Sequence, residues 1–222
     1  MITKPPLGRQ LRKGHRFARG LVGCWLMNEG GGNTVADLSG NWNTGTLSGD
    51  GMVWTSGRFG PVLSFGGTDD WIDISDDRLP AFGTNDFTVI IWAKHAQDNT
   101  ERTIFSKGRI GSGEFQFYKA SSDKVYMYGD AGSISFGIAA ADSWPDDIWT
   151  QWVIRRSGST CTMWQDASIV ATDSSASADL NTATDWRIGA AGTGGGDYNG
   201  QIDNVLIYNR ALTAGEIAQL YR

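Results

Sequence analysis

The sequence predicts an all-β fold, two antiparallel sheets packed face to face, on three observations. The chain after its first 19 residues breaks into a dozen short apolar or alternating runs. Turn clusters such as "NEGGGN", "LSGNWNTG", "SGDG" and "GTGGGD" separate them, in a chain with 30 Gly. No long stretch repeats its apolar residues at helical spacing. Many short strands at this spacing form a sandwich.

In chain order, residues 1–19, "MITKPPLGRQLRKGHRFAR", read as a basic arm. Its Lys4, Arg9, Arg12, Lys13, Arg16 and Arg19 meet no acid before Glu29, so the body that follows is more acidic than the overall net charge of −5. Candidate strands follow in "GLVGCWLM" (20–27), "PVLSFGG" (61–67), "DWIDI" (70–74), "DFTVIIWAK" (86–94) and "RTIFSKG" (102–108). Then come "EFQFYKA" (114–120), "KVYMYGD" (124–130), "SISFGIA" (133–139), "WTQWVIRRSG" (149–158) and "TCTMWQDA" (160–167), with "DWRIGAA" (185–191) and "GQIDNVLIYN" (200–209) last. In the final strand, period two puts Ile202, Asn204, Leu206 and Tyr208 on one face and Asp203, Val205, Ile207 and Asn209 on the other. The chain closes on a short helix: Thr213 followed three residues later by Glu216 is a capping box, and Ile217 with Leu220 or Tyr221 supplies an apolar face.

At 222 residues the chain is long enough to bury its own core without a metal or disulfide. Neither an internal repeat nor a linker divides it, so residues 20–222 read as one domain. No apolar run approaches the ~20 residues of a membrane span, and the N-terminus lacks the apolar region of a secretory signal. An acidic body disfavours nucleic acid as a partner. Cys24 and Cys161 lie far apart, each in a strand, and read equally as a cross-sheet disulfide or as two buried thiols.

Several segments, in their order, resemble the laminin-G-like domains of the concanavalin A-like superfamily. These are "GLVGCWLMNEGGGNTVADLSGNWNTGTLSG", "GRFGPVLSFGGTDDWIDI", "DFTVIIWAK", "RTIFSKG", "WTQWVIRRSGSTCTMWQDASIVAT" and, most specifically, "YNGQIDNVLIYNRALTAGEIAQLY". The resemblance covers residues 20–222 and implies a jelly-roll sandwich. The chain departs from the pattern at Asp166-Ala167, where the family often has Asp-Gly, and at Gln151, with no His after Trp149.

A lone carboxylate at Asp203 is costly on an apolar strand face unless it is paired or binds a cation. The loop "ADLSGNWNTGTL" (36–47) is rich in the hard oxygen donors that calcium takes. The resemblance implies that Asp37 and Asp203 share a calcium ion; Asn41 and the carbonyl of Thr46, from the same loop, are added as further candidate ligands. Beta-glucanases on this fold carry paired carboxylates on one strand. The nearest run, "DDWIDISDD" (69–77), places only Asp73 beside Trp71 and Ser75 on one face, so no catalytic residue is assigned. Gln116 and Tyr118 share a strand face that could line a groove, and His95 reads as a surface turn. Trp42, Trp54, Trp144 and Trp186 fall in or beside loops, where indole rings can stack on sugars.

The resulting expectation is a non-catalytic recognition or attachment domain, stabilised by calcium, with a glycan or polysaccharide as ligand, working outside the cell or on a virion surface. The alternative is a structural phage virion protein whose basic arm fastens it to capsid or tail proteins. A polysaccharide-degrading enzyme is the third reading.

Overall fold

The computed structural model describes residues 4–5, 14–75, 79, 81–108, 115–130, 134–181, 184–192 and 196–221. After a 3-10 turn at Arg16–Ala18 the strands run as β1 (Leu21–Trp25), β2 (Thr34–Val35), β3 (Gly45–Ser48), β4 (Val53–Gly57), β5 (Gly60–Gly66) and β6 (Trp71–Ile74). Next come β7 (Phe87–His95), β8 (Arg102–Lys107), β9 (Phe115–Lys119), β10 (Lys124–Asp130) and β11 (Ile134–Ser143). The series ends with β12 (Thr150–Ser157), β13 (Thr160–Gln165), β14 (Ser168–Asp173), β15 (Trp186–Ile188) and β16 (Asn199–Tyr208), then helix α1 (Ala214–Leu220).

These strands form two antiparallel sheets, a jelly-roll sandwich with one short C-terminal helix. The first sheet has the order β14-β13-β12-β7-β16-β5-β4, with β1 also paired to β16; the second has the order β11-β10-β9-β8-β15-β6-β3-β2. Alternation decides what each strand turns inward. Phe87, Val89, Ile91 and Ala93 of β7 meet Ile72, Phe105, Phe115, Phe117 and Ile188 of the second sheet in the main core. Each of the larger side chains among them, fully buried, contributes roughly 1.5–3 kcal/mol. Ile90, Val153 and Trp164, on the outer face of the first sheet, are covered by Leu212 and Ile217 at the C-terminus. The capping box that the sequence predicts is present at Thr213 and Glu216 and starts that helix.

The final strand does not keep strict period two. Between Asp203, opposite Trp92, and Leu206, opposite Ile90, β16 has one residue more than β7. Asn204 takes a left-handed φ of 40° there. This β-bulge resets the alternation. Ile202, Val205 and Ile207 all point into the main core, whereas Asp203 pairs with Trp92 on the outer face. The period-two reading, which grouped Asp203 with Val205 and Ile207, fails because the bulge inserts a residue between them.

One further expectation is corrected, and one alternative left open is decided. His95 is fully buried at the end of β7, its Nε2 and Nδ1 facing the carbonyls of Trp144 (3.0 Å) and Ala96 (2.9 Å). The cysteines are free: Cys24 belongs to the outer cluster and Cys161 to the main core, so the first sheet separates them. Buried Arg156 of β12 ties its strand to two loops, donating from Nε to Asn85 O (2.9 Å), from Nη1 to Ala178 O (2.8 Å) and from Nη2 to Gly83 O.

Candidate functional site

On the outer face of the second sheet the strand register lines up one continuous row. Thr46 stands opposite Asp73, Asp73 opposite Arg187, Arg187 opposite Ser106, Ser106 opposite Gln116 and Gln116 opposite Tyr128. Facing pairs project to the same side of a sheet, so the inward neighbours Ile72, Ile188, Phe105 and Phe117 leave this row pointing outward. Trp71, two residues from Asp73, shares the face, as do Tyr118 and Tyr126.

One end of the row is a pre-positioned indole. Trp71 donates from Nε1 to Asp73 Oδ2 at 2.8 Å, and the Arg187 guanidinium lies 4.7 Å from its ring centroid. Arg187 also bonds Asp73 Oδ1 (3.3 Å) and Ala191 O (3.1 Å). All three side chains are half-buried, which leaves polar edges beside a fixed aromatic face. The other end is a stack of phenols: Tyr118 lies 5.4 Å from Tyr126 and 5.6 Å from Tyr128 between centroids. Burial, with help from the Tyr128 hydroxyl, pushes the Tyr118 hydroxyl far above its ordinary range, so it stays a neutral hydrogen-bonding group. Between the two ends Gln116 donates to Thr103 Oγ1 at 2.9 Å, while its buried Oε1 accepts no bond among the described residues. The segment after β15 passes over this middle, anchored by the Ser106 hydroxyl on Ala190 O (2.7 Å). It comes close enough that a Cβ on Gly192 would stand 2.0 Å from Gly108 O, the reason a glycine begins the "GTGGGD" turn. Residues 193–195 of that turn lie outside the described residues.

The sequence already paired Trp71 with Asp73 and Gln116 with Tyr118. It did not reveal that β15 sits between those strands and supplies Arg187, although alternation from Trp186 would have placed Arg187 on the opposite face to that tryptophan.

The other expected ligand residues divide. Trp144 and Trp186 are 1% and 0% exposed and take no part in a surface site. Trp144 packs on His95 and Trp152 and donates to Thr150 Oγ1; Trp186 stacks on Phe105 and donates to Leu79 O. Polar neighbours in sequence made them look like loop residues, but each indole is turned into the core with its N–H satisfied. Trp42 is 67% exposed, and Trp54 on β4 is half-buried, donating to Gly32 O; neither lies on the row described above.

The residues expected to share calcium make other contacts. Asp37 Oδ1 accepts from the N–H groups of Cys24 (2.9 Å) and Ser39 (2.8 Å), and its Oδ2 from Ser39 Oγ (2.7 Å) and the Asn43 N–H (3.0 Å). The Asn41 amide presents its donor side to Leu21 O and Val22 O. Thr46 stands on the second sheet and Asp203 on the first. Asp37, with four donors already on its two oxygens, does not fit a calcium ligand in this arrangement. Another trio, His95, Asp123 and Asp146, has ligand atoms within 4.8 Å of one another. However, both His95 nitrogens face carbonyls and Asp123 holds the Lys119 ammonium at 2.6 Å.

Asp203 instead meets Lys4, one of the arm cations expected to anchor a partner, at 2.6 Å. Burial raises the Asp203 carboxyl to about 6 against the pull of Lys4; burial also lowers Lys4. Arg16 and Arg19 are exposed, while Arg9, Arg12 and Lys13 lie outside the described residues. Lys4 and Pro5 also wall a mainly apolar cavity of ≈ 210 Å³ on the outer face of the first sheet, with Phe59, Trp92, Leu206 and Tyr221.

A family model of the concanavalin A-like lectin/glucanases superfamily, laminin G type, matches residues 65–218. No curated protein matches the chain. Among solved structures, the binding domain of Paraclostridial Mosquitocidal Protein 1 is similar with a TM-score of 0.74 at 15% identity, over 91% of this chain and 52% of that one. Domain 4 of AbnA, an extracellular arabinanase from Geobacillus stearothermophilus, in complex with arabinotriose, reaches 0.72 at 17% identity, over 91% of this chain and 98% of that one. Trypanosoma rangeli sialidase reaches 0.68 at 16% identity, over 100% of this chain and 36% of that one. The chain therefore spans about half the length of the mosquitocidal binding domain and about a third of the sialidase. At these identities the likeness is one of fold.

Proposed function

The chain belongs to the laminin-G-like family of the concanavalin A-like lectin/glucanase superfamily, and from that premise we propose that it is a non-catalytic glycan-binding domain whose ligand lies along the outer face of its second sheet. The observation that carries this reading is the outer face that bears Trp71, Asp73 and Arg187 at one end and the three tyrosines at the other. A sugar offers an apolar C–H face and a rim of hydroxyls. A fixed indole suits the first; a carboxylate, a guanidinium and phenols suit the second. Support also comes from the neighbours, a toxin binding domain and an arabinanase domain held with arabinotriose. Asp73, the acid on this row, is engaged by Trp71 and Arg187, an arrangement suited to holding a hydroxyl and not to the paired acid and base of glycoside hydrolysis.

The test is a calorimetric or fluorescence titration of the chain with arabinose-, galactose- and sialic acid-containing oligosaccharides. Native protein is expected to bind at least one of them. Trp71→Ala is expected to weaken that binding about 30-fold, the ~2 kcal/mol of an aromatic hot spot. If a glycan binds equally to native protein and a correctly folded Trp71→Ala, the site is elsewhere; if no glycan binds, the ligand class is wrong. Attachment to a capsid or tail lattice through the arm is the second proposal, now resting on exposed Arg16 and Arg19 because Lys4 is held by the body.

A further inference from the structure

Lys4 is placed as a metal ion would be, inside a ring of oxygens supplied by separate parts of the chain. Its Nζ lies 2.6 Å from Asp203 Oδ1 in β16 and 3.3 Å from Met27 O after β1, and it donates to Pro61 O in β5. Glu29 adds a second negative charge nearby; its Oε1 is taken by the Ala36 N–H, while its Oε2 is buried and accepts no bond among the described residues. The side chains of Lys4 and Asp203 are 7% and 1% exposed. Pro5 fixes the entry, its carbonyl accepting from Asn28 Nδ2 at 2.8 Å. A carboxylate and two carbonyls are hard donors of the kind that hold calcium, and an ammonium with three donors can satisfy the same set.

We infer that the Lys4 ammonium is the resident cation of the Asp203 site, an internal latch by which the N-terminal arm closes the final strand onto the first strand's exit and the β4–β5 hairpin. Lys4 supplies the counter-charge through Oδ1, while Asp203 Oδ2 is buried and accepts no hydrogen bond among the described residues. Lys4 and Pro5 belong to the fold, and among the described arm cations Arg16 and Arg19 remain exposed for a partner. The bulge at Asn204 is what turns Asp203 outward to where the arm can reach it.

Thermal melts of the full chain, in calcium chloride and in EGTA, test the inference. The native chain is expected to melt at one temperature in both. Lys4→Met keeps the side-chain length and removes the charge; it is expected to melt about 6–15 °C lower, because a buried carboxylate loses its counter-charge. The double variant Lys4→Met/Asp203→Asn removes both charges and is expected to regain most of that loss, which keeps the test decisive if the single variant does not fold. In Lys4→Ala, added propylammonium is expected to restore part of the melting temperature. Calcium-dependent stabilisation of the native chain would make a metal the resident cation and overturn the inference. So would a Lys4→Met variant that melts with the native chain, or a double variant no more stable than the single one.

Discussion

Replacing Arg156 by methionine isolates how this sandwich holds its loops. Arg156 is 1% exposed and each of its guanidinium nitrogens donates to a backbone carbonyl: Asn85, Gly83 and Ala178. The Phe87 ring lies 5.4 Å from its centre. Methionine fills much of the volume but leaves three carbonyls without that partner. Hydrogen bonds from a charged donor are worth about 1.5–3 kcal/mol each, so their gross loss is about 5–9 kcal/mol. Part of this is offset because no charge need be buried, the same desolvation that pulls the Arg156 pKa down. A net loss of about 3–5 kcal/mol is expected. For a chain of this size that lowers Tm by roughly 6–20 °C, measurable by calorimetry and by urea unfolding. Arg156→Lys should recover less than half of the loss, because one ammonium cannot match a planar fork aimed at three carbonyls. A Met variant within 1 kcal/mol of the native chain would refute the reasoning, and a Lys variant equal to it would refute the role given to the fork.

Two other predictions concern titration and thiols. Glu216, held by paired hydrogen bonds from Arg210 (2.7 and 3.0 Å), has its carboxyl lowered from 4.5 to about 2. Its contribution is therefore complete above pH ~4.5 and lost as pH falls towards ~2. Arg210→Gln should cost about 1 kcal/mol at neutral pH, where the pair is partly screened, and should flatten the acid limb of stability against pH. Cys24 and Cys161 are buried and free, with both thiols pushed up to about 12 by burial. A thiol reagent should titrate both in denaturant and react slowly with the native chain, and reductant should leave Tm unchanged; a disulfide-dependent Tm would contradict this arrangement.

Local pattern determined a good deal. Short alternating runs between glycine-rich turns specified a two-sheet sandwich, because a strand with one apolar face must bury it against another. Thr213 and Glu216 marked the helix start through contacts within a single turn. The pairs Trp71 with Asp73 and Gln116 with Tyr118 were legible because alternation is local. What joined them into one row was not: β15 enters the sheet between β6 and β8, and its neighbours in space are far away in sequence. The fate of individual tryptophans was equally non-local, since Trp42 and Trp186 both follow polar residues, yet one is on the surface and the other in the core. Asp203 makes the distinction sharpest. Its sequence showed a carboxylate that needed a partner, but a one-residue bulge decided which side it faces, and chain closure brought Lys4 to it from the opposite terminus. Periodicity records which face a residue prefers; only the packed structure sets register, bulge and long-range pairing, because those free energies arise between segments and not within them.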